Sequence, residues 1–326
     1  MMHTELPAMM RAAQLSGYGP PEMVAIADVA LPAMAPHNEV MIKVEAAGLN
    51  PFEAKLRRGW LGGLFPLAFP HVLGCDVAGT IIAKGFDVSE FEIGDRVYGL
   101  IDVMRSGSYA EYVAVPSYLV RKMPANLSFE EGAAVPMAAC TAWYGLVTLA
   151  DVKPGQRVMV QAGSGGVGSF AIQVAKAHGA WVATTASAAN HDFVKALGAD
   201  QVIDYQTADF RNEVSDIDIV LDVIGGETGQ HSYQVLKPGG TLLVVLRGDG
   251  VEMANRDANM AKYDVTTKIV AFSAQPEILD HLRPLIEAGS IRVPLESVTP
   301  LADIVAAHAR LDAGHARGKA VLKVGA

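Results

Sequence analysis

The chain of 326 residues contains only two cysteines, Cys75 and Cys140. Two thiols cannot build a disulfide framework or a four-thiolate zinc site, and so few cysteines are typical of a reducing compartment. Basic residues are also in deficit, because 26 Lys and Arg stand against 35 Asp and Glu, and the net charge is -9. An acidic chain lacks the basic patch that nucleic acid or an anionic membrane surface requires, so we expect neither as a partner.

Long apolar runs are lacking as well. No stretch of about 18 uncharged apolar residues occurs, and no apolar core of a signal peptide precedes Arg11. We therefore expect a cytoplasmic protein. With 51% hydrophobic and 19% charged residues, the composition is that of a globular chain long enough for two domains.

Glycine is concentrated in one informative stretch. Residues 157–161 form a short β-branched run, residues 162–168 a glycine-rich turn, and an amphipathic helix follows at once. Gly163, Gly165 and Gly168 satisfy G-x-G-x-x-G, in which the first allows the tight turn, the second admits a pyrophosphate and the third packs helix on strand. This order predicts a nucleotide-binding βα unit with the phosphates at the helix N-terminus.

The sequence before residue 119 has the pattern of an antiparallel barrel or sandwich. Its short β-type runs, separated by Gly, Pro, Asn or Asp, are residues 24–30, 39–47, 76–83, 96–100 and 109–115. Residues 51–58 predict a short helix led by an Asn-Pro pair. The apolar, Gly- and Pro-rich residues 59–70 predict a loop that lines a site.

From Ser128 onward, strands alternate with helices, which predicts a doubly wound parallel sheet. Ser128 is the expected N-cap of a helical region reaching residue 149, with Glu131 completing a capping box. After the first strand and the glycine turn, the predicted strands are 181–185, 201–204, 217–223, 241–246 and 267–272, and the predicted helices are 192–197 and 229–236.

The last part of the chain returns to a mixed pattern. Residues 298–313 predict a helix that opens at Thr299 and Pro300. Residues 319–324 predict a final strand. Because a six-stranded sheet has no place for it, we expect this strand to rejoin the N-terminal barrel.

Eight ordered blocks resemble the zinc-independent quinone oxidoreductase branch of the medium-chain dehydrogenase/reductase superfamily. They are AGLNPFEAKLRRG (47–59), HVLGCDVAGTI (71–81), GDRVYG (94–99), GSYAEYV (107–113), AAVPMAACTAW (133–143), AGSGGVG (162–168), LGADQVIDY (197–205) and GKAVL (318–322). The resemblance implies an α/β protein with a GroES-like β-barrel catalytic domain (1–127 and 290–326) and a Rossmann cofactor-binding domain (128–289). It also implies an active site in the cleft between the domains, and a homodimer.

The positions of the zinc ligands differ from those of zinc-dependent relatives. The chain has Asn50 where they carry a cysteine, and Gly74, Cys75 and Asp76 where they carry Gly-His-Glu. One thiol beside one carboxylate does not make a tetrahedral zinc site, so we predict no metal. The expected chemistry is then hydride transfer from a nicotinamide to an acceptor that is already electrophilic, a quinone or a conjugated enone.

Three residues are catalytic candidates. The resemblance implies that Asn50 orients the nicotinamide or the substrate, although a turn-capping Asn before proline is an equal alternative. Glu53 and Lys55 are either polar groups at the cleft or a solvated ion pair. Some relatives that reduce enoyl thioesters carry a tyrosine as proton donor where this chain has Trp60 and Leu61, so we expect protonation from solvent.

The cofactor is expected to be NADPH. Residues 183–191 lack the acid that would bond the ribose hydroxyls of NAD, and Asn190 stands where similar proteins carry a lysine for the 2′-phosphate. Lys319 and Arg317 are further sources of positive charge, but such residues near a C-terminus are usually solvated. The predicted cofactor-binding residues are Thr141, Gly163, Ser164, Gly165, Gly166, Val167, Gly168, Ser187, Asn190, Tyr205, Leu246 and Phe272.

Two alternatives to this function stay open. One is a zinc-dependent alcohol dehydrogenase with unusual ligands. The other is a nucleotide-binding protein without turnover, because a fold does not fix a function.

Overall fold

The computed structural model describes residues 6–245, 255–271, 275–314 and 316–325. The strands of this part are β1 (Met9–Leu15), β2 (Val24–Ala30), β3 (Glu39–Gly48), β4 (His71–Val72), β5 (Asp76–Lys84), β6 (Arg96–Leu100), β7 (Tyr112–Pro116), β8 (Val120–Lys122), β9 (Arg157–Val160), β10 (Trp181–Thr185), β11 (Gln201–Ile203), β12 (Ile217–Asp222), β13 (Leu236–Val245), β14 (Thr266–Val270), β15 (Leu295–Pro300) and β16 (Lys319–Lys323). The α-helices are α1 (Pro51–Arg57), α2 (Phe129–Ala134), α3 (Pro136–Trp143), α4 (Gly166–Ala177), α5 (His191–Ala196), α6 (Gly226–Ser232), α7 (Arg256–Tyr263), α8 (Glu277–Glu287) and α9 (Ile304–Ala313). The predicted cofactor contacts Leu246 and Phe272 lie outside the described residues.

The N-terminal strands form the predicted GroES-like barrel. One sheet has the order β2-β1-β4, and a larger sheet has the order β15-β16-β3-β5-β6-β8, with β7 also paired to β3. β3 lies inside this sheet, between β16 and β5. Its side chains are almost all buried, among them Val40, Ile42 and Val44. The predicted bounds of β2 and β6 are confirmed, whereas the strand predicted from residue 109 begins at Tyr112.

The second half of the fold is the predicted Rossmann sheet. Its strands are parallel in the order β11-β10-β9-β12-β13-β14, which places the strand before the glycine turn at the centre. Val158 and Val160 of that strand are fully buried. The predicted apolar stripe of α4 is confirmed, since Phe170 and Val174 also have no exposed surface.

Two helix predictions are wrong in their bounds. Residues 298–300 are the end of β15, which pairs in parallel with β16, and the helix begins only at Ile304. The Thr-Pro pair therefore ends a strand, because tertiary pairing of the β-branched Val298 and Thr299 outweighs a local helix-start signal. The helix predicted at 229–236 is α6, which starts at Gly226, and Leu236 already belongs to β13.

The other features of the second half agree with the sequence in part. Ser128 and Glu131 form the predicted capping box, and the following helical region divides into α2, α3 and a π-helical segment, Tyr144–Leu149. Helix α8 was not predicted.

One hydrophobic cluster spans the two halves, and each half also has a buried cluster of its own. Ala46, Ala78 and Tyr98 of the barrel belong to the same buried cluster as Val158 and Val160 of the parallel sheet. The prediction that the last strand rejoins the barrel is confirmed, because β16 pairs antiparallel with β3. This return places the start of β16 beside both the barrel and the glycine turn.

Candidate active site

A cavity of about 1100 Å³ opens between the barrel and the parallel sheet. Its walls include the glycine turn, α1, α3, α9 and the start of β16. The predicted site-lining loop is confirmed by Leu61, Leu64 and Phe65, which face this space together with Phe52 and Met137. The volume is at the upper end of that of ligand pockets, so it is large enough for a dinucleotide with a small second ligand.

The glycine turn has the geometry of an anion cradle, although glycine is needed at position 163 for a different reason than the predicted one. The left-handed residue of the turn is Ala162, at φ 52°. A Cβ on Gly163 would overlap the Thr184 hydroxyl, so this glycine permits a close approach to β10 rather than a special φ. A Cβ on Gly168 would overlap the carbonyl of Ala162, so this glycine lets α4 pack closely on the turn that follows β9.

Gly165, in contrast, leaves open space on its Cα. A Cβ there would meet only the Ala162 carbonyl at 3.4 Å, which is an ordinary contact. Gly165 is also the N-cap of the twelve-residue helix α4, whose first N–H groups have no partner within the helix. Open space beside a helix N-terminus suits a pyrophosphate, so the residues present fit the phosphates of a dinucleotide.

The side of the cavity at the end of β10 contains the predicted ribose contacts. Tyr205, about half exposed, lines the cavity, as do Thr185 and Ala186. Ser187 and Asn190 lie just past this wall and are joined to each other by an Asn190 Nδ2 to Ser187 Oγ hydrogen bond of 3.2 Å. Thr185 contacts the glycine turn, since its carbonyl accepts from the Gly163 N–H at 3.0 Å, whereas Ser187 and Asn190 are not among the residues that line the cavity.

Arg317 is a cation close to the helix that follows Asn190. Its guanidinium lies 4.9 Å from the ring centroid of Phe193, in the helix that follows Asn190. Arg317 thus lies beside the helix α5, which begins directly after Asn190.

Asn50 is the centre of a buried polar network. Its Nδ2 donates to Glu53 Oε1 at 3.2 Å and to Asp76 Oδ2 at 3.1 Å, and its Oδ1 accepts from the ammonium of Lys319. Asn50 is the N-cap residue of α1, but its side chain makes no capping hydrogen bond. The alternative of a turn-capping side chain is therefore wrong, and the amide joins two carboxylates to one cation.

Glu53 is fully buried beneath the cavity rather than exposed at it. Its Oε1 accepts from the Cys75 N–H at 3.0 Å, while its Oε2 has no hydrogen-bond partner among the described residues. Burial, assisted by the negative charge of Asp76, raises the pKa of Glu53 from 4.5 to about 7. The interpretation of Glu53 as half of a solvated pair is wrong, because the first turn of α1 directs it into the barrel.

Lys55 is the third catalytic candidate, and Thr141 is a predicted cofactor contact. Both line the cavity. Thr141 donates its hydroxyl hydrogen to the Met137 carbonyl at 2.7 Å, so its oxygen keeps acceptor capacity.

Trp60 is 60% exposed and therefore differs from its neighbour Leu61, which is buried in the cavity wall.

Lys319 is the residue whose environment differs most from the expected one. It is only 3% exposed, and its Nζ donates to the Leu49 carbonyl at 3.0 Å and approaches Asp76 Oδ2 at 3.7 Å. The solvated interpretation fails because β16 carries Lys319 into the space between the halves. Its position at the start of an apolar strand, next to a glycine, was the available signal.

The buried acids do not suit zinc. Among the described residues, no group of three or more His, Cys, Asp or Glu is arranged to hold a metal. Asp76 Oδ1 accepts from the Met137 N–H at 2.8 Å, and its Oδ2 accepts from Asn50. Burial raises the pKa of the Cys75 thiol well above its usual value, which opposes the thiolate form that binds zinc.

Comparison with known proteins agrees with this architecture. Residues 36–125 match the family described as "Alcohol dehydrogenase GroES-like domain", and residues 197–322 match "Zinc-binding dehydrogenase". The chain is 34% identical to the mitochondrial NAD(P)H oxidoreductase RTN4IP1 of Danio rerio over 91% of its own length and 86% of that protein. The chain belongs to the medium-chain dehydrogenase/reductase superfamily.

Further members of the superfamily extend the likeness. The 2-methylene-furan-3-one reductase of Solanum lycopersicum is 35% identical over 97% of this chain and 80% of that protein. A solved structure, the quinone oxidoreductase from Coxiella burnetii, has 34% identity and a TM-score of 0.88 and covers 97% of this chain and 100% of that chain. The predicted superfamily and fold are confirmed, and the protein is an oxidoreductase of this superfamily.

Two expectations about context stay predictions. No helix in the described ranges is long and apolar enough to span a bilayer. The name of the Danio rerio protein places that relative in mitochondria, so it does not support a cytoplasmic location for this chain. The homodimer also stays a prediction.

Proposed function

We propose that this protein reduces a quinone or a conjugated enone with NADPH and without a metal. The observation that carries the proposal is the cavity itself, in which an open glycine turn and a mostly apolar pocket face the same space. The names of the relatives above, an NAD(P)H oxidoreductase, a furanone reductase and a quinone oxidoreductase, agree with this chemistry.

The residues would divide the work of binding. Backbone N–H groups at Gly166, Val167 and Gly168 would hold the pyrophosphate at the start of α4. Tyr205, Ser187 and Asn190 would contact the 2′-phosphate end of the nucleotide, and Arg317 beside Phe193 would add positive charge there. The absence of an acid between residues 183 and 191 removes the repulsion that would disfavour a 2′-phosphate, so we expect NADPH to be preferred over NADH.

On the other side of the cavity, apolar walls would hold a planar acceptor and exclude water from it. Phe52, Leu61 and Phe65 supply these walls. The bound cofactor supplies the hydride. Asn50 can offer only its acceptor oxygen, because both Nδ2 hydrogens are used by carboxylates. It would therefore orient a donor, such as an amide or hydroxyl group, and we expect the proton of the product to come from solvent.

The test uses the purified chain with a panel of quinones and enals. NADPH deuterated on the transferred face should place deuterium on the β-carbon of an enone product, and a chelator should leave the rate unchanged. Asn50→Ala should lower kcat/KM, and the loss should correspond to a rise of roughly 1 to 3 kcal/mol in activation free energy. The cofactor affinity should change less. Cys75→Ser is the matched control, since its side chain is assigned no ligand role.

Two outcomes would favour the alternatives. Loss of activity on chelation, with stoichiometric zinc in active protein, would support an alcohol dehydrogenase that depends on the metal. NADPH binding without oxidation across the whole panel would support a nucleotide-binding protein without turnover.

A further inference from the structure

Lys319 touches both parts of the candidate site at once. The residue before it, Gly318, donates its N–H to the Ser164 carbonyl of the glycine turn at 2.8 Å. The Lys319 stem then passes over the turn, so that a Cβ on Gly166 would lie 3.0 Å from Lys319 Cδ. The ammonium at the far end reaches Asn50. One side chain therefore connects the phosphate cradle to the polar network under the pocket.

The ammonium also decides which way the Asn50 amide faces. In the observed rotation the NH₂ group points to the carboxylates of Glu53 and Asp76, and the carbonyl oxygen points to Lys319. The opposite rotation would set NH₂ against an ammonium and an oxygen against carboxylates, which is unfavourable on both sides. Without the cation, only the hydrogen bonds from Nδ2 to the two carboxylates favour the observed rotation.

The charge balance of the network depends on the same residue. Lys319 and Asp76 are both nearly completely buried, with Nζ and Oδ2 3.7 Å apart, and a buried charge is costly unless it is paired. Burial raises the pKa of Asp76 as it does that of Glu53, but Lys319 and the hydrogen bonds from Asn50 and the Met137 N–H favour the charged form of Asp76. Asp76 therefore carries the negative charge that balances the ammonium. Removing the ammonium would leave an unpaired carboxylate in contact with Asn50.

We propose that Lys319 is a positioning residue whose ammonium holds Asn50 in its working orientation and whose stem helps to seat the nucleotide on the glycine turn. This inference rests on the proposed function. Asn50 meets the ligand, whereas Lys319 acts through Asn50 at one end of its side chain and through Gly166 at the other.

The first test separates the two ends of the side chain. Lys319→Met keeps most of the stem but removes the charge, so it should lower kcat about 10-fold or more, since a hydrogen bond to a charged group is worth about 1.5 to 3 kcal/mol, with the NADPH Kd nearly unchanged. Lys319→Ala also removes the stem and should weaken NADPH binding as well. Lys323→Met, at the exposed end of the same strand, is the matched control and should behave as the wild type.

A double-mutant cycle tests whether Lys319 acts through Asn50. If it does, Asn50→Ala should have little further effect on kcat in the Lys319→Met background, because both changes remove the same interaction. Additive losses, or an unchanged kcat in Lys319→Met, would overturn the proposal.

A pH profile distinguishes positioning from general loss of structure. The groups that face Glu53 are Asp76, Cys75, Tyr109 and Lys319, and the positive charge of Lys319 lowers the pKa of Glu53. Because Glu53 accepts a hydrogen bond from the Asn50 amide, ionisation of Glu53 should change kcat/KM with a midpoint near pH 7, and this midpoint should move to higher pH in Lys319→Met. Lys319→Arg, which retains the cation, should keep the wild-type midpoint.

If Lys319→Met does not fold, Lys319→Arg decides. Loss of rate in Lys319→Arg equal to that in Lys319→Ala would leave only a packing role for the stem and would overturn the proposal. A wild-type protein that binds NADPH but reduces no acceptor would instead refute the proposed function, and the NADPH Kd values of Lys319→Met and Lys319→Ala would still show whether the stem seats the nucleotide.

Discussion

Glu53→Gln should remove a pH dependence of the free energy of unfolding that the buried carboxyl group of Glu53 causes in the wild-type protein. The pKa of Glu53 is raised from 4.5 to about 7, first by burial and then by Asp76. In the unfolded chain the carboxyl group ionises near pH 4.5, so between pH 4.5 and 7 the folded state holds a proton that the unfolded state has lost. The free energy of unfolding therefore falls as pH rises through this window, by about 3 kcal/mol for this group.

The variant gives a clean comparison. The amide side chain introduced by Glu53→Gln keeps an oxygen for the Cys75 N–H and for Asn50, but it cannot ionise. Its NH₂ group replaces Oε2, which has no hydrogen-bond partner in the described part of the chain, so a constant destabilisation of about 1 to 3 kcal/mol is expected at every pH. The constant term shifts the curve, whereas ionisation changes its slope.

The assay is urea unfolding at pH 5, 6, 7 and 8, followed by circular dichroism. Stability of the wild type relative to Glu53→Gln should decline by a few kcal/mol from pH 5 to pH 8. Glu22→Gln, a change at an exposed acid, is the control and should give a flat difference. A flat difference for Glu53→Gln too would refute the reasoning, since it would mean that Glu53 titrates alike in both states.

Three further predictions follow from contacts. Gly165→Val should abolish NADPH binding in a titration while thermal unfolding stays near that of the wild type, whereas Gly168→Val should lower the melting temperature because a Cβ there overlaps backbone; equal effects on folding would contradict the distinction. Asn190→Lys should raise the NADPH-over-NADH ratio of kcat/KM about 5-fold at low salt and less at high salt, and an unchanged ratio would move the phosphate pocket elsewhere. Asp312→Ala leaves the fully buried Arg57 without its 2.6 Å ion pair, so urea unfolding should show a loss of about 3 kcal/mol; a loss below about 1 kcal/mol would mean that the remaining acceptors of the guanidinium, the Gly19 carbonyl and His308 Nδ1, suffice.

The comparison of expectation and structure has a physical pattern. The bounds of β2, β6 and β10 were predictable because local alternation and flanking turn residues indicate a strand. The helix predicted over residues 298–313 is wrong at its start, because its Thr-Pro signal is local, whereas the parallel pairing of β15 with β16 is not. Helix α8 was missed although its apolar side chains Ile278, Leu279 and Leu282 are buried in the common core.

The sequence by itself determined the superfamily, the two-part fold and the glycine turn, since each depends on spacing along the chain. Only the tertiary structure decided the environment of the polar side chains. The hydrogen bond between Lys319 and Asn50 joins residues 269 positions apart, and no local pattern reports such a contact. Burial and charge then set the pKa of Glu53 and the orientation of the Asn50 amide, because both properties depend on neighbours that only folding brings together.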